Sequence, residues 1–211
     1  MSGDAPAEQG PPGAARTGGG EPAMPDLAGG DRFDLDPDDL PVVVGRAETD
    51  EVRDVEASQV TMTQLMGPND ANLMGSVFGG VVLAAVDKIA YVCATRHAGR
   101  PCVTASFDQV DFRSPIRVGE IVTLRASVNT VGKTSLEVGV RVGAETPEGG
   151  EERHTNSCYV TMVALDEEKR PTAVPRLRIR TLEQYRRHHD AEERRVARLE
   201  LARRRRERWE E

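Results

Sequence analysis

An uninterrupted apolar stretch near the middle of the chain constrains the fold more than any other feature. Residues 75–94 read GSVFGGVVLAAVDKIAYVCA, and no charged residue occurs from Val77 to Val86. The pattern predicts a helix over residues 76–97, ended by the Gly-Arg-Pro sequence that follows. A helix that is apolar nearly all round must be enclosed by other elements. The run is far shorter than the roughly 20 residues that a membrane span requires, so we expect no membrane span.

The segments around this helix alternate between apolar and polar residues, which is typical of half-buried strands. The element order is β–α–β–β–β–β, and it predicts an α+β fold in which a curved antiparallel sheet wraps around one long helix. Four or five strands leave part of such a helix bare, so we expect a second copy to cover it and the protein to be a homo-oligomer. The predicted strands are residues 58–66, 102–112, 121–131, 135–145 and 153–165.

The charges divide the chain into three parts, which we predict to be a core domain with two extensions. Residues 1–57 are rich in Gly and Pro and hold 14 Asp and Glu against 4 Lys and Arg, so we expect them to be mostly disordered, with a short docked strand at PVVV. Residues 58–175 form the folded domain. Residues 176–211 hold 13 Arg against 8 acids and predict a charged, solvent-exposed helix.

The composition also narrows the location and partners of the protein. The three cysteines are an odd number without metal-ligand spacing, and the N-terminal residues contain no apolar signal segment, which together favour the reducing cytoplasm. We expect neither a metal nor a cofactor. The Arg-rich end is interleaved with acids in a chain of net charge -7, so we do not expect a nucleic-acid partner.

Asp87 is the residue that the apolar helix does not explain. Burying an unpaired carboxylate costs several kcal/mol, and proteins avoid it unless something is gained. Lys88 lies about 100° further round the helix and is a poor partner. Asp87 therefore pairs with a strand residue such as Arg113 or Arg125, lies on a solvated strip with Lys88, or serves chemistry as a general base or nucleophile.

The loop before the helix carries groups that complement this carboxylate. Asn72 lies 15 positions before Asp87 in a segment dense in Gly, Pro, Asn and Asp. Gly79 and Gly80 follow at the predicted helix start, where backbone N–H groups lack intrahelical partners. Such N–H groups can hold a developing oxyanion, and the absent side chains let a carbonyl group approach.

The motif PNDANLMGSVFGG followed by Asp87 resembles the signature of hotdog-fold acyl-CoA thioesterases of the bacterial short/medium-chain and mammalian cytosolic type. VTASFDQVDFRSPIRVGE, GKTSLEV and YVTMVALDEEKRPTAVP are similar to later segments of that family, and the likeness covers residues 58–175. The resemblance implies hydrolysis of acyl-CoA to a free acid and CoA, in fatty acid metabolism. It also implies that Asn72 and Asp87 form the active site across a subunit interface and that the Gly80 N–H polarises the thioester carbonyl. The family forms dimers, often assembled into trimers of dimers, so we expect a homodimer or the larger assembly.

The resemblance also suggests where CoA is held. GKTS at residues 132–135 lacks the earlier glycine and the following helix of a phosphate-binding P-loop. As a turn with free N–H groups, it nevertheless makes Lys133, Thr134 and Ser135 candidate contacts to a CoA phosphate. Arg113 is a further candidate.

Three other interpretations of the chain stay open at this stage. A hotdog module that binds acyl-CoA without turning it over is the main alternative to the enzyme. A dehydratase or hydratase would need a histidine beside the acid, and the helix offers only His97. Cys93 and His97, four residues apart, have the spacing of a Cys–His nucleophile, although a core thiol beside a helix-end histidine fits the same pattern.

Overall fold

The computed structural model describes residues 39–209 of the chain, without the side chain of Trp209. Two short 3₁₀ helices, Val55–Ser58 and Pro68–Asp70, lie among eight strands and two α-helices of this part of the chain. The strands are β1 Val42–Val44, β2 Val52–Asp54, β3 Val60–Leu65, β4 Cys102–Phe107, β5 Ile121–Val131, β6 Ser135–Glu145, β7 Arg153–Ala164 and β8 Arg176–Ile179, and the helices are α1 Gly79–Ala98 and α2 Leu182–Trp209.

The main sheet and its helix have the predicted architecture. Five antiparallel strands lie in the order β3-β5-β6-β7-β4, and α1 packs against all five. Alternate residues of the strands face α1 and are fully buried, among them Val138, Val140, Val160 and Met162. The opposite side, here called the outer face, carries the intervening residues. The hotdog architecture, α+β, is thereby confirmed.

A second, three-stranded sheet was not expected from the sequence. β8 lies at its centre, with β1 antiparallel on one side and β2 parallel on the other. The short strand predicted at PVVV is confirmed as β1. The disorder predicted up to residue 57 is wrong for the segment that forms β2 and the 3₁₀ helix after it. Leu177 and Ile179 of β8 are fully buried, so the apolar surface that orders this segment comes from the far end of the chain. Residues 1–38 lie outside the described residues.

Helix α2 is a helix as predicted, but its first half is not solvated. Ala191 is fully buried, and Tyr185 packs against the apolar core. Arg194 lies over the Tyr159 ring, 3.6 Å from its centroid, and donates to the buried Glu137 on the outer face of β6 at 2.7 Å. The sequence pattern suggested a solvated helix because α2 has no apolar stripe. The helix docks instead through arginine side chains, whose guanidinium groups bind buried polar groups of the sheet.

Between residues 39 and 209, no helix combines the length and the apolar character needed to cross a membrane. The three cysteines are all free thiols, and each is buried.

Candidate active site

The local sequence defines both ends of α1. Phe78, in an extended conformation, precedes the helix, and Gly79 begins it. Gly99 ends it with φ of 70°, a left-handed conformation that glycine adopts without the steric penalty of a Cβ atom. Between these residues, α1 presents one face to the sheet and leaves another uncovered, on which Tyr91 is 46% exposed.

Asp87 lies at the border between these two faces and is half-buried. The Thr104 hydroxyl donates a hydrogen bond to its Oδ1 at 2.5 Å. Among the described residues Asp87 has no ion pair, and Arg125, one suggested partner, instead binds Glu152 through two hydrogen bonds of 2.7 Å. A carboxylate held by one neutral donor and not neutralised by a cation is available as a base or nucleophile.

Thr104 is a member of this site that the sequence analysis missed. It lies on the inner face of β4, where its neighbour Cys102 is buried, and its hydroxyl also contacts the Met162 sulfur at 3.4 Å. The one indication of Thr104 in the sequence was a hydroxyl side chain at an inward-facing position of a predicted strand. The local sequence does not show that this position lies next to Asp87, because the packing of β4 on α1 is set by the tertiary structure.

The Asn72 side chain organises its own loop. Its Oδ1 accepts hydrogen bonds from the Met74 N–H at 2.8 Å and the Ser76 N–H at 3.2 Å, and its Nδ2 donates to the Ser76 hydroxyl at 2.9 Å. The loop tip is fully open, with Leu73 and Met74 104% and 88% exposed. Two large apolar side chains at an open loop tip are typical of a surface that another molecule covers.

The start of α1 offers open backbone donors. The N–H groups of Gly79 and Gly80 are among the first four of the helix, which have no intrahelical acceptor. A Cβ atom on Gly80 would lie 2.5 Å from the Phe78 ring, and one on Gly79 would lie 3.3 Å from the Phe112 ring. The missing side chains let the two rings pack against the helix start, while Gly80 itself stays exposed.

The distance between Gly80 and Asp87 limits what one chain can do. Seven residues of α-helix separate them by roughly 10 Å along the axis. A reacting carbonyl has to lie within about 3 Å of both the oxyanion donor and the attacking group. Gly80 and Asp87 of the same chain cannot both contact one carbonyl, so a site in which Asp87 attacks that carbonyl directly takes the two groups from different copies.

The four predicted CoA contacts lie at opposite ends of the sheet within one chain. The Arg113 N–H bonds the carbonyl of Thr155, near the start of β7. Thr134, in the turn between β5 and β6, accepts a hydrogen bond from Ala164 at the end of β7. Lys133 and Ser135 belong to the same turn, and the Lys133 side chain is 74% exposed. One chain therefore does not bring Arg113 to the other three.

The thiol and imidazole of α1 are structural. Burial raises the pKa of Cys93 to about 12, which leaves no thiolate near neutral pH. His97 is fully buried rather than close to an exposed helix end, its Nε2 bonds the Pro175 carbonyl at 3.1 Å, and burial lowers its pKa. Ten residues beyond Asp87, His97 is roughly 15 Å away along the helix, so neither a Cys–His nucleophile nor a hydratase acid–base pair is formed.

A group with metal-ligand geometry occurs elsewhere, on α2. His189, Asp190 and Glu193 bring one ligand atom each within 4.8 Å of one another. Arg186 already binds Asp190 at 3.1 Å, and the Glu193 side chain is 72% exposed. The arrangement is that of a solvated helix surface, and it has no connection to Asp87.

Comparisons with known proteins agree with this geometry. Residues 74–151 match the model of the Thioesterase superfamily. The "Uncharacterized acyl-CoA thioester hydrolase YkhA" of Bacillus subtilis is 39% identical over 147 residues, which cover 70% of this chain and 86% of that protein. The chain belongs to the hotdog-fold acyl-CoA thioesterase family. Within that family, a structure described as an apo-hexameric acyl-CoA thioesterase superposes with a TM-score of 0.70 at 40% identity and covers 72% of this chain and 97% of the other.

The acyl-CoA hydrolase of Staphylococcus aureus provides a comparison for individual residues of this thioesterase. Its structure in complex with butyryl-CoA, CoA and CoA disulfide is similar to this chain with a TM-score of 0.69 at 31% identity, over 76% of this chain and 99% of that one. Alanine variants of an asparagine, an aspartate and a threonine of that enzyme have also been solved, at spacings of 15 and 17 residues. Asn72, Asp87 and Thr104 have the same spacings here.

Proposed function

We propose that this thioesterase hydrolyses the thioester bond of acyl-CoA, with Asp87 as the catalytic carboxylate. As a general base, Asp87 takes a proton from water while the water oxygen attacks the thioester carbon. As a nucleophile, its oxygen attacks the same carbon and water then releases the acid from the acyl-enzyme anhydride. In both routes the carbon–sulfur bond breaks, CoA leaves as the thiol and the fatty acid is freed.

The observation that carries this proposal is the short hydrogen bond between Thr104 and Asp87, the first charged residue of an apolar run that begins at Val77. The hydroxyl orients the carboxylate and leaves its second oxygen for water or substrate. A module that only binds acyl-CoA has no use for a carboxylate in this position, because the charge costs desolvation energy without a cation to compensate it. The uncompensated charge therefore favours the enzyme over the binding module.

The complete site contains residues of two subunits. Asp87 and Thr104 of one subunit act on a carbonyl that the Gly80 N–H of the partner subunit polarises, since one chain holds these groups too far apart. Asn72 of the partner subunit orients the attacking water, from a loop whose exposed Leu73 and Met74 pack on the other copy. This arrangement gives a homodimer two equivalent sites.

The unpaired edge of β4 is the surface through which the two copies join. β4 ends the five-stranded sheet, and its Val103 and Phe107 are 46% and 38% exposed. An open, apolar edge strand is a template for pairing with another chain. Antiparallel pairing of β4 with the β4 of a second copy also brings the uncovered face of α1, with Tyr91, against the partner.

The same pairing brings together the residues proposed to bind CoA. In a two-fold antiparallel pair, the end of β4 that leads to Arg113 lies beside the end of the partner's β4 that adjoins the turn at residues 132–135. Arg113 of one subunit and Lys133, Thr134 and Ser135 of the other then flank the same end of the joined sheet. These groups suit the phosphates of CoA, because guanidinium and ammonium groups and free N–H donors all bind phosphate.

The test is CoA release, followed with a thiol reagent, from saturated acyl-CoAs of short to long chain. We expect the wild type to hydrolyse part of this panel and Asp87→Asn to lose about 100-fold or more in kcat, the contribution of a positioned acid–base group. Asp50→Asn is the matched control, because Asp50 is an exposed carboxylate remote from α1 in sequence.

Two results would contradict the proposal. Folded wild-type oligomer that binds acyl-CoA but releases no CoA would support the binding module instead. Unchanged kcat in Asp87→Asn would remove the carboxylate from the mechanism and leave the hydrolase without its proposed base.

A further inference from the structure

Helix α2 crosses the outer face of the main sheet from one side to the other. Successive parts of the helix contact β5, β6 and then the residue that follows β4, so the helix passes over β7 on its way to the β4 edge. Eleven residues separate the first and last of these contacts, roughly 16 Å of helix, which matches about three strand spacings. Arg187 contacts the Ser127 hydroxyl at 3.5 Å, and Arg194 contacts Glu137 at 2.7 Å and lies over the Tyr159 ring of β7. Arg198 bridges Glu137 at 3.0 Å and Asp108 at 2.6 Å.

The helix does not end at the sheet edge. It continues from Arg198 to Trp209, which adds roughly 16 Å beyond the contact with Asp108. β4 is the last strand of the sheet on this side, so residues 39–209 of its own subunit place no strand beneath this extension. The last three turns of α2 therefore overhang the edge through which we propose that two copies pair.

The side of the helix that docks on the sheet continues into this overhang with an apolar residue. At 100° per residue, Leu201 lies within about 20° of Arg194 around the helix axis, and Arg194 is a docked residue. Leu201 is nevertheless 47% exposed. Leu201 thus faces the plane of the sheet just beyond its last strand. An apolar side chain in this position can be buried by packing on a second molecule.

The partner subunit has an apolar surface at that position. Two-fold antiparallel pairing of β4 places the Asp108 end of one strand beside the Cys102 end of the other. Val103 lies on the outer face there, because Cys102 and Thr104 on either side of it face α1. Its register neighbour on β7 is Val163, which also lies between two inward-facing residues. Val103 and Val163 therefore form an apolar patch on the outer face. The contacts of α2 with its own subunit lie at the other end of β4.

We propose that residues 199–209 of each α2 lie across the outer face of the partner subunit and pack Leu201 on Val103 of the partner subunit. This inference rests on the proposed β4 pairing and adds a second, reciprocal contact to it. Val103 is the residue next to Thr104, so each helix would buttress from outside the strand that orients the partner's catalytic carboxylate. The two overhanging helices cross at opposite ends of β4, about 20 Å apart, and do not compete for space.

The charges at the landing site agree with this placement. The overhang carries Arg203, Arg204, Arg205, Arg206 and Arg208, and its docking side continues from Leu201 through Arg205 and Arg208. The turn after β7 flanks the same end of the sheet, since Leu165 bonds the carbonyl of Pro101 just before β4. Glu167 in that turn is exposed and has no ion pair among the described residues.

The direct test is a disulfide between Leu201→Cys and Val103→Cys introduced into one full-length chain. Mild oxidation should convert most of the protein to a covalent dimer on a non-reducing gel, whereas a bond within one chain would leave the monomer mass. The single variants give the background from the buried native thiols. Leu201→Cys combined with Arg141→Cys, an outer-face position elsewhere on β6, is the matched control and should stay monomeric on the gel.

A second measurement concerns the free energy of association rather than proximity. Leu201→Glu should raise the dimer dissociation constant tenfold or more in sedimentation experiments, because it places a carboxylate on the valine patch. Leu199→Glu is the matched control, since Leu199 is 55% exposed on the opposite side of the helix, and it should leave the constant unchanged.

The outcomes separate this inference from the proposed function. A dimer that hydrolyses acyl-CoA but forms no more covalent dimer than the single variants, or that tolerates Leu201→Glu like Leu199→Glu, overturns the helix exchange and leaves the enzyme intact. A wild-type chain that is monomeric or fails to release CoA overturns the proposed function itself.

Discussion

The pair formed by Asp87 and Thr104 shows what single residues contribute to this thioesterase. The sequence alone indicated Asp87, because a carboxylate in an apolar helix is an exception that stands out in any pattern. Thr104 was not indicated, because a threonine is ordinary in a strand and becomes special only when β4 places it 2.5 Å from that carboxylate. The sequence thus indicates a residue such as Asp87, whose charge is exceptional among its apolar neighbours. A residue such as Thr104, which binds Asp87, is found only from the tertiary structure.

Thr104→Val should lower kcat about 10- to 100-fold with little change in KM. Valine has the same shape but cannot donate the hydrogen bond that orients Asp87, and orientation of an acid–base group accounts for part of its catalytic effect. Thr104→Ser, which restores a donor, should recover most of the rate. The measurement is steady-state CoA release, and equal rates for the valine and serine variants would show that the hydroxyl does not act.

Gly80→Ala should reduce kcat at least tenfold while the protein stays folded. The new methyl group would lie 2.5 Å from the Phe78 ring, so either the ring moves into the approach to the helix N–H groups or the helix start shifts. The loss of one oxyanion donor costs about 100-fold or more in known hydrolases. Gly67→Ala is the control, because a Cβ atom there meets only the Asp70 carboxylate, at 3.7 Å, and its rate should not change.

At the scale of whole elements, the sequence predicted α1 and the strands of the main sheet well. The repeat of apolar residues predicts an element that buries an apolar face of its own, as α1, β5, β6 and β7 do. It did not predict β2, β8 or the docking of α2. β2 pairs with β8 more than a hundred residues away, and the anchor of α2 is a buried acid on β6. Contacts between distant and individually polar segments leave no periodic pattern.

Glu137→Gln should lower the free energy of unfolding by about 2–3 kcal/mol, because it leaves the partly buried Arg194 guanidinium without a carboxylate and leaves Arg198 with Asp108 alone. Glu137 is 2% exposed and binds both Arg194 and Arg198. Urea unfolding measures the change. Glu193→Gln, which removes an exposed carboxylate from the same helix, should leave the urea midpoint unchanged. Equal midpoints for both variants would show that α2 is not anchored through Glu137.

The Arg125–Glu152 pair on the outer face should make stability depend on pH in the acid range. Two hydrogen bonds from the Arg125 guanidinium lower the pKa of Glu152 below its ordinary value of 4.5. A carboxyl with a lowered folded pKa stabilises the protein above its unfolded pKa, and this contribution is lost as pH falls through the folded value. The melting temperature of Glu152→Gln should therefore lie below that of the wild type at pH 7, and the gap should narrow below pH about 4.5.

The control for this pH dependence is Glu148→Gln, which changes an exposed carboxylate in the turn between β6 and β7. Its melting temperature should follow the wild type at every pH. A gap for Glu152→Gln that is as wide at pH 3 as at pH 7 would show that the ion pair is not the source of the stabilisation.

At the scale of the whole molecule, the proposed dimer takes each active site from two chains. Asp87 and Gly80 are separated by roughly 10 Å of helix, β4 has an open edge, and Leu73 and Met74 are fully exposed. Each of these features is incomplete in one copy, and the proposed antiparallel pairing of β4 would account for all three. The assembly therefore follows from the same residues that carry the chemistry.

Mixing two inactive variants tests this shared site most directly. Asn72→Ala and Asp87→Asn chains, differently tagged and co-expressed, form homodimers and heterodimers. If each site takes Asn72 from one subunit and Asp87 from the other, every heterodimer has one intact site, and random pairing should restore about a quarter of wild-type activity in a two-fold dimer. If the purified heterodimer is no more active than the two homodimers, the site is not shared between subunits and the account is contradicted.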